Sequence, residues 1–261
     1  MIAVAIGAPL AFLLLLFGCQ RRMIYLARAY EPAELQHGVE EIVVQTGQGR
    51  QVAFLTAPRR GASAAQVWIV FGGNGALALD WLDFAAAHPR DDTAFLLVDY
   101  PGYGLCEGRP TRRHILESAR AFADALTARM ATAEVGYLGH SIGAAVALDL
   151  AVLRPPRRIV MISPFTSLVD MARFAVGWPL CSLALDRFDN RARLSELSAR
   201  TPRPAVTIIH GSRDDIVPVR MGRELAQSHP DWIAYEEIDG ADHNWIIGLA
   251  QDSIFAAMNP R

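Results

Sequence analysis

Short, β-rich apolar runs alternate along this chain with longer stretches in which apolar positions return at the helical period of about 3.6 residues. The runs predict strands near residues 42–45, 51–56, 67–71, 94–98, 134–138, 158–162, 206–209 and 233–238. Several are apolar almost without interruption, as strands buried on both faces must be. The periodic stretches predict helices over 79–87, 112–129, 142–153, 220–228 and 245–258. Strand and helix in regular alternation define an α/β fold: a mostly parallel eight-stranded sheet flanked by helices. Residues 168–200 break the rhythm, being too long for a simple crossover and helical in pattern, and are expected to form a small lid.

The first residues follow another pattern. Residues 2–17 carry no charge and are mostly Ala, Ile, Leu, Val and Phe, about the minimum length for a membrane span. Arg21 and Arg22 come after the apolar run, whereas a cleaved signal peptide normally begins with its basic residues. This predicts a single-pass N-terminal anchor over residues 1–28, with a catalytic domain over 29–261 on the cytoplasmic side. Leu16-Phe17-Gly18-Cys19 keeps a lipoprotein or secreted form open as one alternative, and an apolar helix packed on the domain itself is the other. Deleting residues 1–28 is expected to release the protein from membranes and to spare hydrolysis of a soluble ester.

Composition removes other classes. A net charge of −2 argues against a nucleic-acid partner. The basic residues are all arginine, which excludes lysine Schiff-base chemistry and a lysine-dependent phosphate loop. Cys19, Cys106 and Cys181 are widely spaced and form neither a disulfide framework nor a zinc pattern, so neither metal nor cofactor is expected.

The candidate chemistry gathers where strands end. Gly139-His140-Ser141-Ile142-Gly143 follows an apolar strand and opens an Ala-rich helix, the context of a nucleophile elbow. A serine hydroxyl attacks a carbonyl only if an imidazole takes its proton and a carboxylate orients that imidazole. Asp214 follows the seventh strand and His243 follows the eighth, so the order is Ser, Asp, His. Asp215 stands beside Asp214 as a rival acid, while His140 and His210 read as structural. Phe71-Gly72-Gly73-Asn74-Gly75 follows the third strand. It offers the Asn74 N–H, with Gly73 as rival, to pair with the Ile142 N–H as an oxyanion hole. Phe174, Trp178 and Leu180 are candidate pocket walls in the lid.

Together with Asp99-Tyr100-Pro101-Gly102-Tyr103-Gly104, Pro164-Phe165-Thr166-Ser167-Leu168, Asp186-Arg187-Phe188-Asp189 and the His210-to-Pro218 stretch, these motifs resemble the α/β-hydrolases of the serine aminopeptidase-like and lysophospholipase-like branch. Within it the chain is most similar to small membrane-anchored members, whose N-terminal helix is followed by a stretch like Gln20-Arg21-Arg22. The chain departs from the pattern at Gly72, where many relatives carry histidine, and at Cys106, where serine is commoner. The resemblance implies a serine hydrolase that cleaves a carboxylic ester or thioester of a small acyl or lipid substrate through an acyl-enzyme. A catalytically silent membrane-anchored binding module, and aminopeptidase or peroxidase chemistry on the same triad, are the alternatives.

Overall fold

A computed structural model describes residues 18–35, 38–59 and 63–259. Eight strands, β1 (Glu40–Thr46), β2 (Gly49–Leu55), β3 (Gln66–Phe71), β4 (Thr93–Val98), β5 (Glu134–His140), β6 (Arg158–Ile162), β7 (Ala205–Gly211) and β8 (Ile233–Ile238), form one sheet. Their order is β1-β2-β4-β3-β5-β6-β7-β8. The β1–β2 hairpin and the β2–β4 pair are antiparallel, and every other pairing is parallel.

Alternate residues of each central strand serve opposite faces. Val67, Ile69 and Phe71 of β3 join one core with helices α3 (Arg112–Arg129), α4 (Ile142–Leu153) and α7 (Val219–Gln227). Trp68 and Val70 join the other with α2 (Leu82–Ala87), α8 (Ile246–Leu249) and α9 (Gln251–Met258). The helix expected over 245–258 is thus two helices. The backbone leaves helical geometry at Ala250 (φ −102°, ψ 15°), and the offset keeps Ile246, Ile254 and Met258 in the core. The stretch over 79–87 likewise opens as a 3₁₀ turn, Ala78–Trp81, before α2 begins.

Residues 168–200 fold as α5 (Leu168–Val176), a 3₁₀ turn at Leu180–Leu183 and α6 (Asn190–Ser198). Ser167 and Asp189 cap the two helices by accepting from the N–H groups of Asp170 and Ala192. They also bridge to each other, which closes the base of the insertion.

Residues 18–24 form helix α1. Among the described residues no helix is long and apolar enough to cross a membrane, and residues 1–17, which carry most of the expected anchor, lie outside them. From residue 18 onward the chain packs on the domain. Gln20 bonds the Leu183 carbonyl and the Leu185 N–H, Arg21 pairs with Asp186 at 3.0 Å, and Arg28 pairs with Asp80 at 2.7 Å. Tyr25 is buried in the core. The expected boundary between residues 28 and 29 therefore passes through chain that is packed against the lid and the sheet.

Candidate active site

β5 ends at His140 and α4 begins at Ile142, so Ser141 alone makes the turn between them. It does so at φ 56°, ψ −118°, a conformation that costs a non-glycine residue about 1–3 kcal/mol unless its surroundings hold it there. The surroundings do so. The Ser141 N–H donates to the Ile162 carbonyl at 2.9 Å, and α4 is anchored by burial of ten of its twelve residues. A Cβ on Gly139 would collide with the backbone of Gly143 and Ala144, and one on Gly143 with the carbonyls of Phe71 and Gly72. Both glycines of the motif are required by backbone approaching backbone.

The candidate acid and base are brought together. His243 Nδ1 lies 2.7 Å from Asp214 Oδ2, and both side chains are almost wholly buried. The other oxygen of Asp214 accepts the N–H groups of Ile216 at 3.0 Å and Val217 at 2.7 Å. Burial by itself would push this carboxyl up. Hydrogen bonds from His210 and His243, with the Val217 N–H, outweigh that and hold it well below the usual carboxylate range. Asp215 is exposed, which separates it from its neighbour.

Two histidines that the sequence marks only as structural touch this pair. His210 is fully buried, with Nε2 2.9 Å from the Val217 carbonyl and 3.3 Å from Asp214 Oδ2. Among the described residues its Nδ1 has no hydrogen-bond partner, while Nε2 faces two oxygens and so carries a proton. His140 Nε2 lies 3.0 Å from the His243 carbonyl, and the two rings are tilted with centroids 4.8 Å apart. Burial, aided by the neighbouring His243, pushes His140 down to about 3, leaving it a neutral donor that ties the His243 loop to the residue preceding Ser141. The only sequence signal for either role is its place in the motif, four residues before the acid and one before the serine.

A cavity of about 300 Å³ opens at Ser141 and is lined by Asn74, Ile142, Phe165, Leu168, Met171 and Val217 among others. Ser141, Asn74 and Ile142 line this cavity, whereas Gly73 packs against the elbow: a Cβ added to it would lie 3.1 Å from His140 Nδ1. As the first residue of α4, Ile142 has an N–H with no intrahelical acceptor. The Asn74 carbonyl is held by the Tyr103 hydroxyl at 2.6 Å and the Leu26 N–H at 3.0 Å. The Ser141 hydroxyl has no hydrogen bond among the described residues. Bonds of this kind are often long before substrate arrives and tighten in its complex.

Of the expected lid walls only Leu180 lines this cavity. Phe174 and Trp178 are 58% and 77% exposed: the amphipathic α5 turns Leu168, Met171 and Val176 toward the cavity and Phe174 away, and Trp178 lies beyond the end of that helix. Gln20, Met23 and Ile24, from the segment assigned to the anchor, line it instead. Among the described residues no cluster of His, Cys, Asp and Glu could hold a metal ion.

Sheet order, elbow and cavity define an α/β hydrolase, and the sequence agrees: residues 61–200 match the Alpha/beta hydrolase family, to which this chain belongs. An uncharacterized protein of Mycobacterium tuberculosis is 32% identical over 232 residues, 86% of this chain and 80% of that protein. The human Alpha/beta hydrolase domain-containing protein 17B is 25% identical over 210 residues, 79% of this chain and 69% of its own length. Among solved structures, the Pyrococcus furiosus esterase Pf2001 superposes with a TM-score of 0.66 at 16% identity, covering 90% of this chain and 94% of that one.

Proposed function

We propose that this protein is a serine hydrolase that cleaves carboxylic ester or thioester bonds of an acyl substrate through an acyl-enzyme. Ser141 is the nucleophile, His243 the general base, and Asp214 the acid that holds the imidazole with its proton on Nδ1. The observation that carries this reading is the 2.7 Å Asp214–His243 hydrogen bond, formed beside a serine held at positive φ on the wall of an apolar cavity.

In the forward step His243 Nε2 takes the hydroxyl proton as Ser141 Oγ bonds to the substrate carbonyl carbon. The Asn74 and Ile142 N–H groups receive the charge that develops on the carbonyl oxygen. The tetrahedral intermediate collapses when His243 returns the proton to the departing alcohol or thiol. Water, deprotonated by the same ring, then bonds to the acyl carbon, and the ring returns that proton to Ser141 Oγ as the carboxylic acid leaves. The cavity wall offers the acyl part mainly aliphatic side chains, which favours an apolar acyl group over a charged one.

Anchoring by the apolar run of residues 2–17, with the catalytic domain on the cytoplasmic side, is part of the same proposal and is supported by the sequence alone. A mature chain that begins at an acylated Cys19 would overturn it.

The direct test is a fluorophosphonate probe followed by peptide mapping, together with p-nitrophenyl esters of increasing chain length. Labelling at Ser141, and ester turnover that Ser141→Ala abolishes, are expected. An intact fold that neither labels nor turns over any ester would leave the pocket as a binding module.

A further inference from the structure

We infer that the segment following the apolar run is part of the catalytic apparatus: the Leu26 N–H and the Tyr103 hydroxyl clamp the Asn74 carbonyl and fix the Asn74–Gly75 peptide plane, and with the Gly73 carbonyl held by the Ala76 N–H this sets the aim of the Asn74 N–H at the oxyanion. The inference rests on the serine-hydrolase reading and adds two positioning residues to it.

The loop that carries Asn74 cannot aim itself. Gly72, Gly73 and Gly75 surround the residue, and glycine rotates through backbone conformations that other residues resist, so the residue types of the loop hold its peptide planes only weakly. One hydrogen bond within the loop and two from elsewhere in the chain fix them. On one side of Asn74 the Gly73 carbonyl accepts the Ala76 N–H at 3.3 Å. On the other, the Asn74 carbonyl accepts the Leu26 N–H at 3.0 Å and the Tyr103 hydroxyl at 2.6 Å. Tyr103 is fully buried and packs edge-on against Tyr100 at 5.5 Å between centroids; the Tyr100 hydroxyl in turn bonds the Gly72 carbonyl at 2.7 Å.

Leu26 is itself placed by a series of contacts on both sides. Before it, Tyr25 is buried and Arg21 pairs with Asp186; after it, the Arg28 carbonyl accepts the Gly104 N–H at 2.9 Å and the Arg28 guanidinium holds Asp80. A donor that belongs to the charge-stabilising hole acts only in the transition state, so loosening its aim should lower kcat and leave KM nearly unchanged.

Tyr103→Phe removes one clamp and keeps the ring; Leu26→Pro removes the other, because proline has no N–H. In the full-length protein each is expected to lower kcat on p-nitrophenyl butyrate about tenfold, and the pair about a hundredfold or more, with KM within about twofold. Affinity for an alkylboronic acid, whose tetrahedral adduct occupies the same hole, should fall in step with kcat. If the wild type neither binds the boronate nor turns over the ester, the hydrolase reading itself fails. If the wild type does both, and folded Tyr103→Phe and Leu26→Pro proteins retain both, the clamp is refuted. Loss through KM alone would also refute it.

Discussion

The two flanks of Ser141 are held in contrasting ways. On the proposed acid–base flank, Asp214 is held largely by partners close to it in sequence, namely His210, Ile216 and Val217, and the one distant tie of the His243 loop to the elbow is made by His140, next to Ser141. On the oxyanion flank, Asn74 is fixed by Leu26 and Tyr103, from separate parts of the chain. A loop that carries its own hydrogen-bond partners can be moved or copied as a motif. A loop built mainly of glycine depends on the surrounding fold to choose its conformation.

The largest expected effects fall on the first flank. Ser141→Ala and His243→Ala should each lower turnover by about 10⁵–10⁶, and the double variant should be little worse than either, since residues acting as one unit are not additive. Losses that add in this cycle would remove the triad assignment. Asp214→Asn should cost on the order of 10⁴ by favouring the wrong imidazole tautomer, whereas the exposed Asp215→Asn should stay near wild type. Kinetics at equal folded concentration separate the two, and a severe loss in Asp215→Asn with a normal Asp214→Asn would move the acid by one residue.

Deletion reaches the second flank. Relative to a chain lacking residues 1–17, one lacking residues 1–28 also loses the Leu26 donor, the Arg28–Asp80 pair and the Gln20, Met23 and Ile24 wall of the cavity. In place of the sparing expected from the sequence alone, these contacts predict that its turnover of a soluble ester falls by about tenfold to a hundredfold. Equal rates would mean that the packing of residues 18–28 has no bearing on catalysis.

The smallest effects are on stability and have opposite signs on the two flanks. Burial lowers His140 from 6.5 to about 3, so across that window the unfolded chain binds the extra proton and His140 makes stability rise with pH. Asp99, which follows β4, accepts the Ala78 N–H and the Tyr30 hydroxyl, and burial raises it from 3.8 to about 6. There the folded state holds the extra proton, so the Asp99 contribution is complete below 3.8 and is lost as pH rises through about 6. Denaturant melts from pH 4 to 7 should therefore show a flatter stability profile in His140→Gln and a steeper rise in Asp99→Asn.

This contrast also explains what could be read from the sequence. The eight strands and the elbow were legible because each is written in consecutive residues: an apolar run, then small residues where backbones meet. Asp214, the proposed acid, could be named for the same reason, standing three residues beyond Gly211 at the exit of β7. The roles of Leu26 and Tyr103 were not, because their donors reach Asn74 only after β3, β4 and the first described segment have packed together. Nor could hydropathy separate Leu180 from Trp178 as lid residues. Both are apolar, and only the path of the backbone decides which one meets the cavity.

Because the segment over residues 18–28 rests on the body through a handful of hydrogen bonds and one deeply inserted ring, it is a unit that can fray on its own. Such local openings need far less free energy than loss of the central sheet. Amide exchange over this segment should accordingly be faster than over β3 to β6. On warming, the working lifetime of the proposed hydrolase would then be set by the detachment of this segment, while the sheet that carries Ser141 remains folded.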